Sequence, residues 1–270
     1  MPNDTGAPQR VFVVGCPRSG TTLLQSFLAA HGCVHSFPET HFFYRLPAAA
    51  TAPVGPDLLA DLPQVAGFLG RPDTDWPPQP TVGAAVDTFL ATADAVTAAA
   101  GATAWVEKTP ANLYAIDLVE ALVPGARFVH IVRDGADVVT SLCANAAGWG
   151  STYTVDQALD LWSECVAISE SHRGRPGHHL LGYADLAQHP EPTLRSVCAA
   201  VGLDYDPAMV AGRAEAARGL IKDFEVWKGP NLGPLEYAPR ARFAEAFDAP
   251  TRAHIEQRVA AVALPGTAHR

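Results

Sequence analysis

The stretch Gly15-Cys16-Pro17-Arg18-Ser19-Gly20-Thr21-Thr22 follows a short β-branched run, residues 10–15, and precedes a run with helical spacing, residues 22–31. A strand, a glycine-rich turn and a helix in this order let backbone N–H groups converge on an anion at the helix N-terminus. The pattern nearly matches the phosphate loop G-x-x-x-x-G-K-[ST], with Thr21 in place of the lysine. We therefore predict an anion-binding loop whose cation, Arg18, lies inside the loop.

The missing lysine bears on the identity of the ligand. In loops that bind nucleoside triphosphates, this lysine reaches the β- and γ-phosphates. A loop without it suits a ligand that carries one 5′-phosphate and another leaving group. The alternative interpretation is a glycine–serine turn that joins a strand to a helix and binds nothing.

Further strands and helices alternate along the chain. Apolar runs predict strands at residues 104–107, 127–132 and 180–183, and helical patterns separate them, including those at 112–122 and 155–171. Such alternation predicts an α/β fold of three layers, with a mainly parallel central sheet and helices on both faces. The second apolar patch, Val34–Phe37, leads into the polar segment around Glu39.

The domain organisation follows from what the chain lacks. No repeat and no low-complexity linker divides it, so we predict a single domain over residues 1–270. Residues 46–103 form an insertion, in which 46–82 are dense in Pro, Ala and Asp and are predicted to be irregular or a lid, and 84–100 form an alanine-rich helix. We expect this insertion to shape the acceptor site.

Composition excludes several classes of function. The net charge is −9, which disfavours a nucleic-acid or anionic-membrane binder. The five cysteines are widely spaced and include no Cys-x-x-Cys pair, which disfavours a disulfide framework or a structural zinc site and predicts a reducing, cytoplasmic location. Neither a targeting segment, nor a transmembrane segment, nor a metal-binding cluster is predicted.

A second anion anchor is predicted at Arg133 and Ser141. Arg133 closes the strand at 127–132, and the carboxyl ends of parallel strands border the ligand crevice of open α/β sheets. A guanidinium binds phosphate through two parallel hydrogen bonds, and Ser141, eight residues later on the next helix, adds a hydroxyl. Alternatively, Arg133 and Asp134 cap that helix and Ser141 is uninvolved.

With both anchors in this order, the sequence resembles the sulfotransferases that use 3′-phosphoadenosine-5′-phosphosulfate (PAPS), particularly the bacterial and tyrosylprotein-type members. The likeness covers roughly residues 10–45 and 104–235 and includes Glu107-Lys108-Thr109-Pro110 and Tyr183-Ala184-Asp185-Leu186. In the late loop Trp227-Lys228-Gly229, Trp227 stands where the family has Arg. The resemblance implies that PAPS is bound by Pro17, Arg18, Ser19, Gly20, Thr21, Thr22, Arg133, Ser141, Tyr183, Lys228 and Gly229.

The resemblance also implies which residues are catalytic. Glu39-Thr40, 21 residues after Arg18, is similar to the pair that supplies the general base in tyrosylprotein sulfotransferases. Lys108 is the candidate electrophile, and Arg18 would stabilise the leaving phosphate. His35 or His41 are the alternative bases, because histidine titrates near neutral pH. Glu39 could instead pair with a surface Arg or cap a helix, and Lys108 could be solvated.

These features predict a sulfotransferase that moves the sulfuryl group of PAPS to a hydroxyl or amine of a small-molecule, carbohydrate or lipid acceptor. A phosphate-loop kinase is one alternative, which the missing lysine disfavours. A non-catalytic protein that binds PAPS or another nucleotide is a second alternative. The presence of Glu39, Lys108 and Arg18 together disfavours it.

Overall fold

The central sheet has five parallel strands in the order β2–β3–β1–β4–β5 in the computed structural model, which describes residues 7–145, 152–220, 232–233, 235 and 237–262. The strands are Gln9–Val14 (β1), Val34–Ser36 (β2), Ala104–Glu107 (β3), Ala126–Val132 (β4) and His178–Gly182 (β5). The α-helices are Thr21–Ala29 (α1), Pro56–Phe68 (α2), Val82–Ala99 (α3), Ile116–Leu122 (α4), Gly135–Asn145 (α5), Val155–Ser171 (α6), Tyr183–Gln188 (α7), Pro190–Val201 (α8), Ala208–Ala211 (α9), Arg213–Leu220 (α10), Phe243–Ala246 (α11) and Ala249–Ala261 (α12). Short 3₁₀ helices cover Phe43–Arg45 and Pro110–Ala115.

Both faces of the sheet are covered. Successive residues of a strand point to opposite faces. Phe12 and Val14 of β1 accordingly pack in one apolar cluster, and Val11 and Val13 pack in another. The first cluster includes residues of α3, α5 and α6, and the second includes residues of α1 and α8. The predicted three-layer α/β fold is thus confirmed, and the sheet is parallel at every pairing in the described ranges.

The ends of the predicted elements agree closely with the structure, with two local corrections. β3 and α6 have the predicted bounds, whereas the helix predicted at 112–122 begins as the 3₁₀ turn Pro110–Ala115. Tyr183 was predicted to end a strand, but it begins α7, because Asp185 places a carboxylate in the first turn, where the helix dipole favours negative charge.

The prediction that residues 46–82 are irregular is wrong for α2, and a role as a lid stays a prediction. Pro56 occupies the first turn of this helix, where its fixed φ and missing N–H are tolerated. Leu58, Leu62 and Val65 recur at helical spacing and are buried in the same apolar cluster as Phe12. The high proline content concealed this period. The helix predicted at 84–100 corresponds to α3. The single-domain assignment stays a prediction.

By length and apolarity alone, α3 could cross a membrane, and it is the one helix in the described part of the chain that could. Val82, Val86, Phe89 and Ala93 on one of its faces are buried in the core cluster beside the sheet. The helix therefore packs here as a core element of the α/β fold.

Candidate active site

The loop or residue that follows each strand contributes to one site. The loop Gly15–Gly20 follows β1, Glu39 follows β2, Lys108 follows β3, Arg133 follows β4 and Tyr183 follows β5. The carboxyl ends of parallel strands lie at the same edge of a sheet. The chain places β2 and β3 on one side of β1 and then β4 and β5 on the other side. Open α/β sheets bind ligands beside the strand at which the strand order changes direction in this way.

The shape of the loop requires glycine at positions 15 and 20. A Cβ on Gly15 would lie 2.5 Å from the carbonyl oxygen of Ile131, and one on Gly20 would lie 2.4 Å from Cδ2 of Tyr183. Both glycines have positive φ, and so does Arg18, at 72°. A left-handed conformation costs a non-glycine residue about 1–2 kcal/mol. Arg18 is therefore held in an unfavourable backbone conformation at the tip of the loop.

The two predicted anion anchors lie in contact. Arg18 Nε donates a hydrogen bond to Ser141 Oγ at 2.9 Å, and Arg133 Nη1 lies 3.5 Å from the carbonyl oxygen of Arg18. Ser141 is buried on α5. The loop and the second anion anchor thus border one continuous site.

Arg133 is fixed from several sides. Its Nη2 lies 3.3 Å from Asp137 Oδ2, its guanidinium carbon lies 4.4 Å from the ring centre of Tyr183, and Trp162 donates to its backbone oxygen at 3.0 Å. A cation over an aromatic ring in this way is attracted to the ring. Its Nε is buried and has no hydrogen-bond partner in the described ranges. A positioned guanidinium with an unused donor fits an anionic ligand.

A third guanidinium, which the sequence analysis missed, belongs to the same site. Burial, with repulsion from Arg133 and Arg242, lowers the pKa of Arg18 to about 10, while Glu39 opposes this. Arg18 remains protonated at neutral pH. Two cations close enough to disfavour the charge of a third are what a site for an anion requires.

The segment around Arg242 is anchored beside Arg133. The backbone N–H of Arg240 donates to Asp137 Oδ1 at 2.8 Å, and Arg240 Nη2 lies 2.9 Å from Asp134 Oδ2. One residue beyond Arg242, Phe243 is buried in the core. The sequence carried no signal for Arg242, because it lies past the end of the likeness and its neighbours form no motif.

Glu39 and Lys108 form an ion pair beside the loop. Lys108 Nζ donates to Glu39 Oε1, and it also donates to Thr22 Oγ1 at 3.3 Å. The Lys108 side chain is only 1% exposed, and that of Glu39 is 18% exposed. The alternative of a solvated lysine is therefore wrong, and Glu39 has Lys108 as a partner. The structure brings both predicted catalytic residues to the anion-binding loop.

The two alternative bases differ in position. His41 Nε2 lies 3.6 Å from Glu39 Oε2, and the His41 side chain is half exposed. His35 lies on β2 with its ring 4.7 Å from that of Phe37, and burial lowers its pKa. His41 is therefore a neighbour of the reactive pair, whereas His35 packs against an apolar side chain.

A second missed residue is Glu107, the last residue of β3. The resemblance named it only within the segment that contains Lys108. Its side chain is fully buried and bonds to Thr40, Thr109 and Asn112, and burial raises its pKa. A glutamate within a strand end that is otherwise apolar is the signal that could have identified it.

Some predicted residues cannot be placed. Lys228 and Gly229 lie outside the described residues, so their assignment to the donor stays a prediction. Within the described ranges, no group of three or more His, Cys, Asp or Glu side chains is arranged to hold a metal ion.

Most of this site lies in a part of the chain that matches a known protein family. A family model described as "Sulfotransferase family" matches residues 8–207, which include every strand and the loop. The chain belongs to the sulfotransferase family.

Relatives of this sulfotransferase are distant in sequence. Nodulation protein NoeE of Sinorhizobium fredii (strain NBRC 101917 / NGR234) is 27% identical in an alignment of 226 positions that covers 74% of this chain and 51% of NoeE. An uncharacterized protein of Aquifex aeolicus (strain VF5) is 24% identical, over 69% of this chain and 24% of its own length. The chain thus spans about half and about a quarter of these two relatives.

Solved structures share the fold of this sulfotransferase. The sulfotransferase domain from the curacin biosynthetic pathway has a TM-score of 0.60 at 17% identity, covering 94% of this chain and 98% of that one. The sulfotransferase domain of the Synechococcus PCC 7002 olefin synthase has a TM-score of 0.54 at 18% identity, covering 97% and 96%. Mouse sulfotransferase SULT7A1, complexed with PAP (3′-phosphoadenosine-5′-phosphate), has a TM-score of 0.51 at 13% identity, covering 93% and 82%.

Proposed function

We propose that this sulfotransferase uses PAPS as its donor and transfers the sulfuryl group to a hydroxyl or amine of an acceptor. The observation that carries the proposal is the crowding of Arg18, Arg133 and Arg242 beside a glycine-bordered loop that also contacts the Glu39–Lys108 pair. Such a cluster favours a ligand with several negative charges, and PAPS has them at its 5′-phosphosulfate and 3′-phosphate.

The residues present fit this donor. The loop Pro17–Thr22, at the N-terminus of α1, would hold the 5′-phosphosulfate through backbone N–H groups and Arg18. Arg133, through its unused Nε, and Ser141 would hold the 3′-phosphate, and Arg242 would add charge beside them. Tyr183 would lie near the nucleotide. The PAP complex of SULT7A1, which shares the fold, supports the assignment.

Bound PAPS would supply an activated sulfuryl group on a phosphate leaving group. Arg18, with Thr21 and Thr22, would stabilise the negative charge that develops on this phosphate. Lys108, whose ammonium already reaches Thr22 Oγ1, would stabilise the charge on the transferring oxygens. Because Lys108 is almost fully buried, this stabilisation acts with little screening by water.

Glu39 would act as the general base. Its carboxylate is partly exposed and lies against Lys108, so an acceptor hydroxyl that approaches from the solvent side can give its proton to Glu39 at the moment of attack. His41, 3.6 Å from Glu39, would orient this carboxylate rather than replace it. The acceptor class remains a small molecule, a carbohydrate or a lipid, and a cytoplasmic location remains part of the proposal.

The test uses radiolabelled PAPS with a panel of acceptors: para-nitrophenol, methyl glucoside, octanol and phenylethylamine. We expect label transfer to at least one of them. Glu39→Gln should lower turnover by about 100- to 10,000-fold, the range of general acid–base catalysis, with PAP affinity changed less than about threefold. His41→Gln should retain most of the turnover. Transfer at the wild-type rate by Glu39→Gln, with loss in His41→Gln, would assign the base to His41.

A further inference from the structure

The carboxylate of Glu107 is entirely buried beneath the ion pair of Glu39 and Lys108. It precedes Lys108 directly in the chain and lies at the end of β3. A buried carboxylate costs several kcal/mol in lost hydration unless hydrogen bonds and charges compensate it. The contacts of Glu107 therefore show what the fold gains from it.

Four hydrogen-bond donors surround the Glu107 carboxylate. Oε1 accepts from Thr40 N at 3.2 Å, from Thr40 Oγ1 at 2.8 Å and from Thr109 Oγ1 at 2.6 Å. Oε2 accepts from Asn112 Nδ2 at 2.6 Å. An ionised carboxylate accepts about four hydrogen bonds, so this environment satisfies the charged form. The bonds from Thr109 and Thr40 oppose the rise in the pKa of Glu107 that burial causes.

The same cluster continues to the backbone that carries Glu39. Thr109 Oγ1 accepts from the N–H of His41 at 3.2 Å, and Asn112 Oδ1 accepts from the N–H of Tyr44 at 3.2 Å. Together with Thr40 N on Glu107, three backbone N–H groups of the segment Thr40–Tyr44 are fastened to one buried polar cluster. His41 has a φ of 52°, a conformation that a non-glycine residue adopts only when its surroundings impose it.

We infer that Glu107 is a positioning residue, which through Thr40, Thr109 and Asn112 holds the segment after β2 so that Glu39 meets Lys108 beside the donor loop. This inference rests on the proposed roles of Glu39 and Lys108. Glu107 has no part in binding the donor. Its effect falls on the geometry of the reactive pair, where a misplacement on the order of 1 Å costs about 100-fold in rate.

The backbone N–H groups of Thr40 and Tyr44 can only donate, so they fix which atoms of Glu107 and Asn112 accept hydrogen bonds. A substitution that changes an acceptor into a donor therefore tests the cluster. Glu107→Gln keeps the shape but turns one acceptor oxygen into an NH₂ donor. If this NH₂ faces Asn112, two donors meet, and Asn112 cannot rotate its amide without turning its own NH₂ against the N–H of Tyr44. If it faces Thr40 and Thr109 instead, the backbone N–H of Thr40 loses its acceptor, and both threonine hydroxyls must turn from donating to accepting.

A second substitution should repair the fault. In Glu107→Gln combined with Asn112→Asp, the new amide at position 107 can donate to one oxygen at position 112, while the other oxygen still accepts from Tyr44. We expect Glu107→Gln to lower kcat by about 10- to 100-fold, with the Kd for PAP and the KM for PAPS within about twofold of wild type. The double variant should regain kcat to within about threefold of wild type.

The experiment measures PAPS turnover with the fastest acceptor of the panel, together with PAP calorimetry. If Glu107→Gln fails to fold, Thr109→Val serves instead, because it removes only the hydroxyl that bridges Glu107 and His41. The matched control is Thr97→Val, a fully buried threonine whose hydroxyl donates to Ala93 O at 2.7 Å within α3. We expect Thr109→Val, but not Thr97→Val, to lower kcat.

Three results would overturn the inference: unchanged kcat in Glu107→Gln or Thr109→Val, an equal loss of PAP affinity and kcat, or a double variant no faster than the single one. Failure of the proposed function is a different outcome. In that case the wild-type protein itself would neither bind PAP nor turn over PAPS. If the wild-type protein turns over PAPS and Glu107→Gln has the same kcat, the proposed function stands and only the positioning role of Glu107 is removed.

Discussion

Arg18, Arg133 and Arg242 lie close enough for their charges to repel, whereas Glu39 and Lys108 lie in direct contact as an ion pair above the satisfied carboxylate of Glu107. The first group, which we call the donor half of the site, has an excess of positive charge, although Asp137 pairs with Arg133 and Glu39 favours the charged form of Arg18. The second group, the reactive half, matches each charge with a counter-charge or with hydrogen-bond donors.

The difference assigns a separate physical task to each half. Crowded cations are costly until an anion arrives, so the donor half is arranged for binding. A paired and buried network holds its side chains in place before any ligand is bound, which is what electrostatic preorganisation requires. Substitutions of Arg133 and Arg242 should therefore change affinity, and substitutions in the reactive half should change rate. A substitution of Arg18, which would also stabilise the leaving phosphate, should change both.

The largest expected effect is in the reactive half. Lys108→Ala should lower PAPS turnover by about 100- to 1,000-fold, because it removes the buried cation that faces the transferring oxygens. The Kd for PAP should change less than about threefold. Steady-state kinetics and calorimetry on the same preparation measure both, with Arg45→Ala, which breaks an ion pair with Asp61 away from the loop, as the control. Wild-type turnover by Lys108→Ala would contradict the division of tasks.

The next effect belongs to the donor half. Arg133→Ala should weaken PAP binding by about 10- to 100-fold, since hydrogen bonds to charged groups contribute about 1.5–3 kcal/mol. Binding of 5′-AMP, which lacks the 3′-phosphate, should weaken less than about threefold. Titration calorimetry with both nucleotides makes the comparison. Equal weakening of both would remove the 3′-phosphate assignment of Arg133.

The sequence alone predicts those parts of the site whose position depends only on neighbouring residues in the chain. The loop after β1 and Arg133 after β4 each follow an apolar run, so their position at the carboxyl edge of the sheet could be predicted. The contacts between them could not, because Lys108 meets Glu39 across 69 positions and Arg18 meets Ser141 across 123. Such contacts depend on the order of the strands, which no local pattern encodes.

Two features escaped prediction for different physical reasons. Arg242 reaches the donor half because Arg240 is anchored to Asp134 and Asp137, a tertiary contact that leaves no motif. α2 was missed because it contains Pro56 and Pro63 and lies in a proline-rich segment, although its buried leucines keep the helical period. In α2, packing against the core outweighed the low local helix propensity.

A smaller effect on affinity is expected for the residue that the sequence did not reveal. Arg242→Ala should weaken PAP binding by about three- to tenfold, a modest loss because Arg242 is exposed and salt screens its charge. The loss should shrink as ionic strength rises. Arg252→Ala, at a partly exposed arginine on α12, is the control. An Arg242→Ala protein that binds PAP as wild type does at low salt would remove Arg242 from the donor half.

The smallest predicted effect concerns His130, a buried titratable group that stays neutral. His130 on β4 is fully buried, its Nε2 lies 3.0 Å from His178 Nδ1, and burial and the neighbouring histidines lower its pKa to about 3. It stays neutral in the folded protein but is protonated in the unfolded chain below about pH 6.5, so the free energy of unfolding should fall as pH falls through that value. His130 should account for about 1.4 kcal/mol of this loss at pH 5.5.

Urea denaturation at pH 7.5 and 5.5 measures that loss. His130→Gln, which cannot titrate, should show a loss smaller by about 1 kcal/mol. The pH dependence of PAP affinity should be unchanged in the variant, because His130 belongs to neither half of the site. An equal loss in wild type and variant would place the acid sensitivity elsewhere.

The central claim, that the loop and its arginines form a PAPS site, is tested most directly by titration calorimetry of the wild-type protein with PAP, 5′-AMP and ATP. We expect PAP to bind about 100-fold more tightly than 5′-AMP, because only PAP engages both the loop and Arg133. We expect ATP to bind more weakly than PAP, since Thr21 replaces the lysine that would reach the β- and γ-phosphates. ATP binding as tight as PAP binding, or PAP binding no tighter than that of 5′-AMP, would contradict the claim.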